Sequence, residues 1–170
     1  MTQYGVFSKE RAQKYEYHIV KEIGKTDLVA CLVNGVRIVR KENSHIAELT
    51  AEADAELENA SVAFDPVWSL LGKEDDDGTK LICWRLETPI CGAAVILKNG
   101  ALDEAFSKVG SFYILPSSIH ELLIYPCDGT LSVNDILPMV RDVNSTEVKP
   151  QDKLSDNVYM YDGKEVTIAK

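Results

Sequence analysis

The chain has 170 residues, 45% of them hydrophobic and 26% charged, and a formal net charge of −9. Those are values of an ordinary globular domain, long enough to bury a core without disulfide or metal staples. The acidity argues against direct binding to DNA or RNA. Residues 1–5 lack the basic start and apolar run of a signal peptide, and no stretch approaches the roughly 18 apolar residues that cross a bilayer, so the expected setting is the cytoplasm, with no membrane partner. Cysteines 31, 83, 91 and 127 form no C-x-x-C pair. They read as reduced, buried thiols rather than zinc ligands.

In chain order, the spacing of Ala12, Tyr15, Ile19 and Ile23 predicts a helix over 8–23, capped by Ser8 and closed by Gly24. Asn34-Gly35 between the apolar runs 28–33 and 36–40 predicts a hairpin, because a type I′ turn needs positive φ at both central residues. Ile46, Leu49, Ala53 and Leu57 form a thin apolar stripe, giving a helix over 45–60, with a strand pair as the competing reading. Asp65-Pro66 reads as the cap and first position of a short helix through Trp68 and Leu71 to Gly72. A polar loop follows at 73–79.

Strands are expected over 80–86 and 90–98, joined at Thr88-Pro89. Asn99-Gly100 turns into a helix over 102–109 that Gly110 ends. Strands over 112–115 and 119–125 are separated by Pro116-Ser117. Ser132 or Asp135 caps a helix reaching residue 143, with Pro138 inside it. After an irregular stretch, Asp162-Gly163 signals a hairpin of 158–161 with 164–168. Tyr159 and Tyr161 share one face of the first of these strands, with Val158 and Met160 on the other, so both faces are apolar and the strand reads as interior. Short links favour antiparallel pairing. The fold class is α+β: a mostly antiparallel sheet of about six to eight strands with four or five helices packed on it. One domain spans 1–170, and the loop at 73–79 marks where an N-terminal part, 1–72, would separate from 80–170.

The charge is unevenly placed. Between residues 41 and 78 there are 11 acids against two bases, Lys41 and Lys73, while 16 acids meet 16 bases elsewhere. A local negative potential steers basic partners toward it. The expected contact residues are Glu48, Glu52, Glu56, Asp75, Asp76 and Asp77, and the expected partner is a protein with a basic surface. The plain alternative is a solvated face that keeps the chain soluble. No EF-hand is present, since counting back from Gly78 puts the first ligand position on Lys73.

Chemistry-bearing residues are sparse. The densest polar cluster is Ser117, Ser118, His120 and Glu121. A serine nucleophile needs a base in hydrogen-bond reach and a third group to orient that base. On a strand Ser118 and His120 share a face while Glu121 points away, and neither G-x-S-x-G nor H-E-x-x-H occurs. Arg141 and Asp156 form a second polar concentration. No Gly-rich phosphate cradle exists, so no cofactor and no metal are expected. The favoured function is a non-catalytic interaction or regulatory protein using its acidic surface. One alternative is an acidic nucleic-acid mimic that inhibits a nucleic-acid-processing complex. The other is a hydrolase built around Ser118, His120 and Arg141.

Three stretches carry a resemblance over about residues 81–162. They are Cys91-Gly92-Ala93-Ala94 leading to Gly110; the run from Phe112 to Glu121; and the run from Met139 to Val148 continuing into 154–162. They resemble an uncharacterised domain family of anaerobic gut bacteria, often on or near mobile elements. That family has no assigned activity, so the resemblance implies no catalytic residue. The mobile-element setting implies a counter-defence role, such as an anti-restriction or anti-CRISPR inhibitor. Residues 1–80 fall outside it, which makes the acidic segment this chain's own feature.

Overall fold

The computed structural model describes residues 1–72, 78 and 80–170. Two antiparallel sheets divide the chain. In the first, β3 (Leu28–Asn34) is central. One of its edges carries β1 (Thr2–Ser8), and the other is shared by β2 (Ile19–Glu22) and β4 (Arg37–Ile38). The second sheet has six strands in the order β10-β9-β7-β8-β6-β5. These are β5 (Val62–Pro66), β6 (Ile82–Leu86), β7 (Phe112–Ser118), β8 (Glu121–Pro126), β9 (Tyr159–Tyr161) and β10 (Val166–Ile168). A parallel bridge, Lys25 to Thr167, ties the two sheets together.

The α+β class holds, but the strands split into two sheets because a buried 3₁₀ segment, Gly92–Leu97, lies between them. It packs on β1 from one side and on β6 and β8 from the other. The apolar run at 90–98, expected as a strand, is this segment. Its residues are enclosed on every side, so they show no alternation, and Gly92, Ala93 and Ala94 are small enough to let both sheets approach. The main core is continuous across the layers, from Val6, Phe7 and Leu32 to Trp84, Phe112 and Ile114.

The helix expected over 8–23 is overturned. Ser8 does cap a helix, accepting from the Arg11 N–H at 3.2 Å, but α1 runs only Lys9–Lys14. Glu16 then takes a positive φ of 56°. The β-branched Ile19 and Val20 join a strand instead, because pairing with β3 outweighs a weak helical stripe. Asp65 and Pro66 end β5, and the helix after them, α3, is confined to Val67–Leu70. Pro116-Ser117 does not end β7. The strand continues to Ser118 through a register shift, and β8 starts at Glu121. The remaining helices match their signals. α2 is Ile46–Asn59, α4 is Ala101–Val109, and α5 is Val133–Thr146, where Ser132 and Asp135 form a capping box. Both hairpins form, but neither has the expected type I′ turn with two positive-φ central residues. Asn34 pairs with Arg37, so the loop is Gly35-Val36 with positive φ at Gly35 alone. Tyr161 pairs with Val166 across the loop 162–165, where Asp162 Oδ1 accepts from the N–H groups of Lys164 and Glu165. No described helix is long and apolar enough to cross a membrane.

α2 packs on β1. Its last turn holds no basic residue, although its free carbonyls and the dipole favour a cation there. Lys98 supplies one from outside the helix, donating to the carbonyls of Leu57 at 2.9 Å and Glu58 at 2.7 Å. Lys98→Met is expected to lower stability by about 1 kcal/mol and Tm by about 3 °C in thermal denaturation. An unchanged Tm would mean water serves those carbonyls equally well.

Candidate functional site

The acidic segment is the first candidate. Within α2, Ile46, Leu49 and Leu57 are half-buried and Ala53 is buried, while Glu48, Glu52, Asp54, Glu56 and Glu58 are exposed. Glu48, Glu52 and Glu56 follow at four-residue spacing, so they form one stripe about 12 Å long on the outer side. His45 lies 3.8 Å from Glu48, and the chain's amino terminus 3.9 Å from Glu52. Asp54 accepts from the Tyr4 hydroxyl at 2.6 Å, which fastens the helix to β1. Among the described residues no lysine or arginine side chain forms an ion pair with any of these five carboxylates. Asp65 is half-buried on β5. Asp75, Asp76 and Asp77 lie outside the described residues.

The second candidate, Ser118 to Glu121, resolves into separate contacts. Ser118 Oγ accepts from the His120 backbone N–H at 3.0 Å, the ordinary job of a serine in a turn. His120 Nδ1 accepts from the Cys91 N–H at 3.1 Å. That leaves Nε2 as the protonated nitrogen of the neutral ring, donating to Asp152 Oδ1 at 3.1 Å. The Ile119 N–H also donates to the Asp152 carbonyl at 2.8 Å. His120 therefore clamps the start of the 3₁₀ segment to the loop after α5. Glu121 points to the other side, where the Cys83 thiol approaches its carboxylate at 3.5 Å. Arg141 is exposed on α5 and forms no ion pair among the described residues. Asp156 accepts from Lys153 at 2.7 Å and from Asn144 at 3.1 Å. Ser118, His120, Glu121 and Arg141 thus take different partners, and both ring nitrogens of His120 are committed to structure.

The thiols are poorly disposed to react. Burial pushes Cys31 and Cys83 up to about 12 and Cys91 up to about 11, so the nucleophilic thiolate is scarce at neutral pH. No group of three or more metal-ligating side chains occurs among the described residues.

Residues 34–163 match the model described as a family of unknown function (DUF5688), and the chain belongs to that family. No curated protein and no solved structure matches it. The matched span begins at Asn34, well before residue 81, so it takes in α2. The acidic helix accordingly lies within the family segment and not outside it. What falls outside is β1, α1, β2, nearly all of β3 and, at the other end, β10.

Proposed function

We propose that the protein is a non-catalytic interaction module that captures a partner with a basic surface, and that the carboxylate stripe of α2 is its contact. One observation carries this reading. The helix accepts electrostatic costs that its own stability does not call for. Glu48 with Glu52, and Glu52 with Glu56, are like charges four residues apart, each pair costing a few tenths of a kcal/mol. Glu56 and Glu58 face the negative end of the helix dipole. His45 and the amino terminus offset part of this cost at Glu48 and Glu52, but no lysine or arginine among the described residues does. Local rules broken in this way are characteristic of functional surfaces.

The test is a capture experiment with the wild-type chain and an E48K/E52K/E56K variant, at low and high salt. Wild type should retain a basic protein at about 50 mM salt and release it at several hundred millimolar, as screening demands. The reversed variant should retain none of it and stay folded. If both chains hold the same partner, α2 is not the contact. Competition decides the narrower reading, a nucleic-acid mimic acting on a defence or processing complex. In that case DNA or RNA and this protein displace each other from the partner, and displacement weakens as salt rises.

A further inference from the structure

A polar cleft of about 390 Å³ opens between α1 and the loop 150–157, away from the acidic stripe. Its wall includes Ser8, Arg11, Asp27, Lys153 and Asn157. Two of these residues stand out by what they lack.

Arg11 is half-buried. Its guanidinium carbon lies 5.0 Å from the centre of the Phe7 ring and 6.0 Å from that of Tyr17. Nη1 donates to the Gln151 carbonyl at 2.8 Å and Nε to the Tyr17 hydroxyl at 3.4 Å. Asp27 is also half-buried. The hydroxyl of fully buried Tyr159 donates to its Oδ1 at 2.5 Å, and Asn157 Nδ2 donates to its Oδ2 at 3.1 Å. Among the described residues Arg11 has no carboxylate at ion-pair distance, and Asp27 has no cation.

Removing charge from water without a counter-charge is unfavourable, so opposite charges on one cavity wall ordinarily close on each other. Here each is tethered by neutral partners that keep them apart. Three guanidinium N–H donors remain unused, and so does lone-pair capacity on the carboxylate. Lys153 is engaged by Asp156, and Glu10 is exposed at the rim, so Arg11 and Asp27 are the half-buried unpaired charges of opposite sign.

We propose that the cleft binds a zwitterion of the α-amino-acid class, with its carboxylate on Arg11 and its ammonium on Asp27. A simple oxyanion would meet Asp27, Asp156 and Glu10 on the same wall. A simple amine would leave the guanidinium unpaired. A molecule carrying both charges answers both. The His120–Asp152 clamp and the Arg11–Gln151 bond position the loop that forms one side of the cleft. That gives the polar turn at 118–120 a supporting role in binding.

The twenty proteinogenic amino acids are titrated singly into the intact chain, followed by calorimetry and thermal shift. Each that binds is compared with its decarboxylated amine and its deaminated acid. At least one amino acid should raise Tm by about 8 °C at a hundredfold excess over Kd, while its amine and acid counterparts bind at least tenfold more weakly. Asp27→Asn keeps an acceptor for Tyr159 and should lose affinity about tenfold or more. Arg11→Lys keeps charge and stem but not the planar fork, and should do the same. Circular dichroism verifies that both variants are folded. The proposal is overturned if none of the twenty binds, if the acid or amine alone binds as well as the zwitterion, or if folded Asp27→Asn and Arg11→Lys bind normally.

Discussion

Gly92→Ala is expected to cost about 3 kcal/mol, the upper part of the usual range for overpacking, and to lower Tm by about 10 °C. A Cβ at this position would sit 2.3 Å from the backbone carbonyl oxygen of His120 and 3.0 Å from that of Leu86. Neither obstacle is a flexible side-chain tip. Both belong to backbone fixed by neighbouring structure: Cys91 N–H to His120 Nδ1 at 3.1 Å and Ala93 N–H to the Ile119 carbonyl at 3.2 Å hold the two segments face to face. Relief therefore requires moving the 3₁₀ segment away from β6 and β8 and opening the main core. Gly100→Ala is the control. Nothing lies within 4 Å of a Cβ there, so only its positive φ of 80° is charged against it, at about 1 kcal/mol. Denaturant titrations of the two variants settle the matter. A Gly92→Ala loss no greater than that of Gly100→Ala would show that the segment yields easily. The same displacement should pull Asp152 from His120, so amino-acid binding at the Arg11 cleft should weaken as well.

The elements legible in the sequence were those whose cause is local. The two hairpins form where Asn34-Gly35 and Asp162-Gly163 place them, because Gly35 and Gly163 take the positive φ that a turn needs without a distant partner, although the loops are Gly35-Val36 and 162–165 rather than the expected residue pairs. The helices α4 and α5 carry their own end signals, Gly110 after one and the Ser132–Asp135 capping box before the other. Elements set by distant contacts were hidden. In β1, residues Thr2 to Phe7 are all buried, with α2 and the 3₁₀ segment both packed on the strand. No alternation survives for a reader to find. Ala12, Tyr15, Ile19 and Ile23 obey helical spacing, yet the chain breaks at Glu16 because β3 offers Ile19 to Glu22 a ladder. The acidic stripe of α2 was visible from counting charges, since one helix holds five of them. The Arg11–Asp27 cleft was not. Its residues stand in no motif, and the loop containing Lys153 to Asn157 is far along the chain. The polar run at Asp156 stands out in the sequence and does line the cleft, but there it groups with Arg141, which lies elsewhere on α5, and nothing local ties it to Arg11 or Asp27.

Alkaline conditions should unfold this protein earlier than its composition suggests. Three thiols rise far from their usual value of 9.0 in the folded chain, burial pushing Cys31 and Cys83 to about 12 and Cys91 to about 11, and burial raises Cys127 as well. Four tyrosines, Tyr4, Tyr113, Tyr159 and Tyr161, shift the same way from 10.0. For Tyr4 and Tyr159 burial leads, followed by donation to Asp54 and Asp27. For Tyr161 the hydrogen bond to Asp103 leads, taking it to about 12. In each case the protonated form is favoured in the native state, so above the unfolded-state value the unfolded chain has lost a proton that the folded chain keeps. Stability is then complete below about pH 9 and falls as pH rises, with the tyrosines joining above about pH 10. Each such group contributes a slope of about 1.4 kcal/mol per pH unit, so the three thiols alone set a limiting slope of about 4 kcal/mol per unit. Over the two units from pH 9 to 11 that slope removes about 8 kcal/mol, enough to exhaust a domain in the lower half of the usual range of roughly 5–15 kcal/mol. Urea titrations at half-unit steps from pH 8 to 11 measure it directly. Cys31→Ala should flatten the curve by about one group's share, and Tyr159→Phe should flatten only the part above pH 10 while costing about 2 kcal/mol at neutral pH through the hydrogen bond lost to Asp27. A stability that stays level from pH 8.5 to 11 would mean that the thiols ionise as readily in the folded chain as in the unfolded one. The enclosure of Cys31 on the central strand β3 and of Cys91 beside the 3₁₀ segment would then be looser than the packing described.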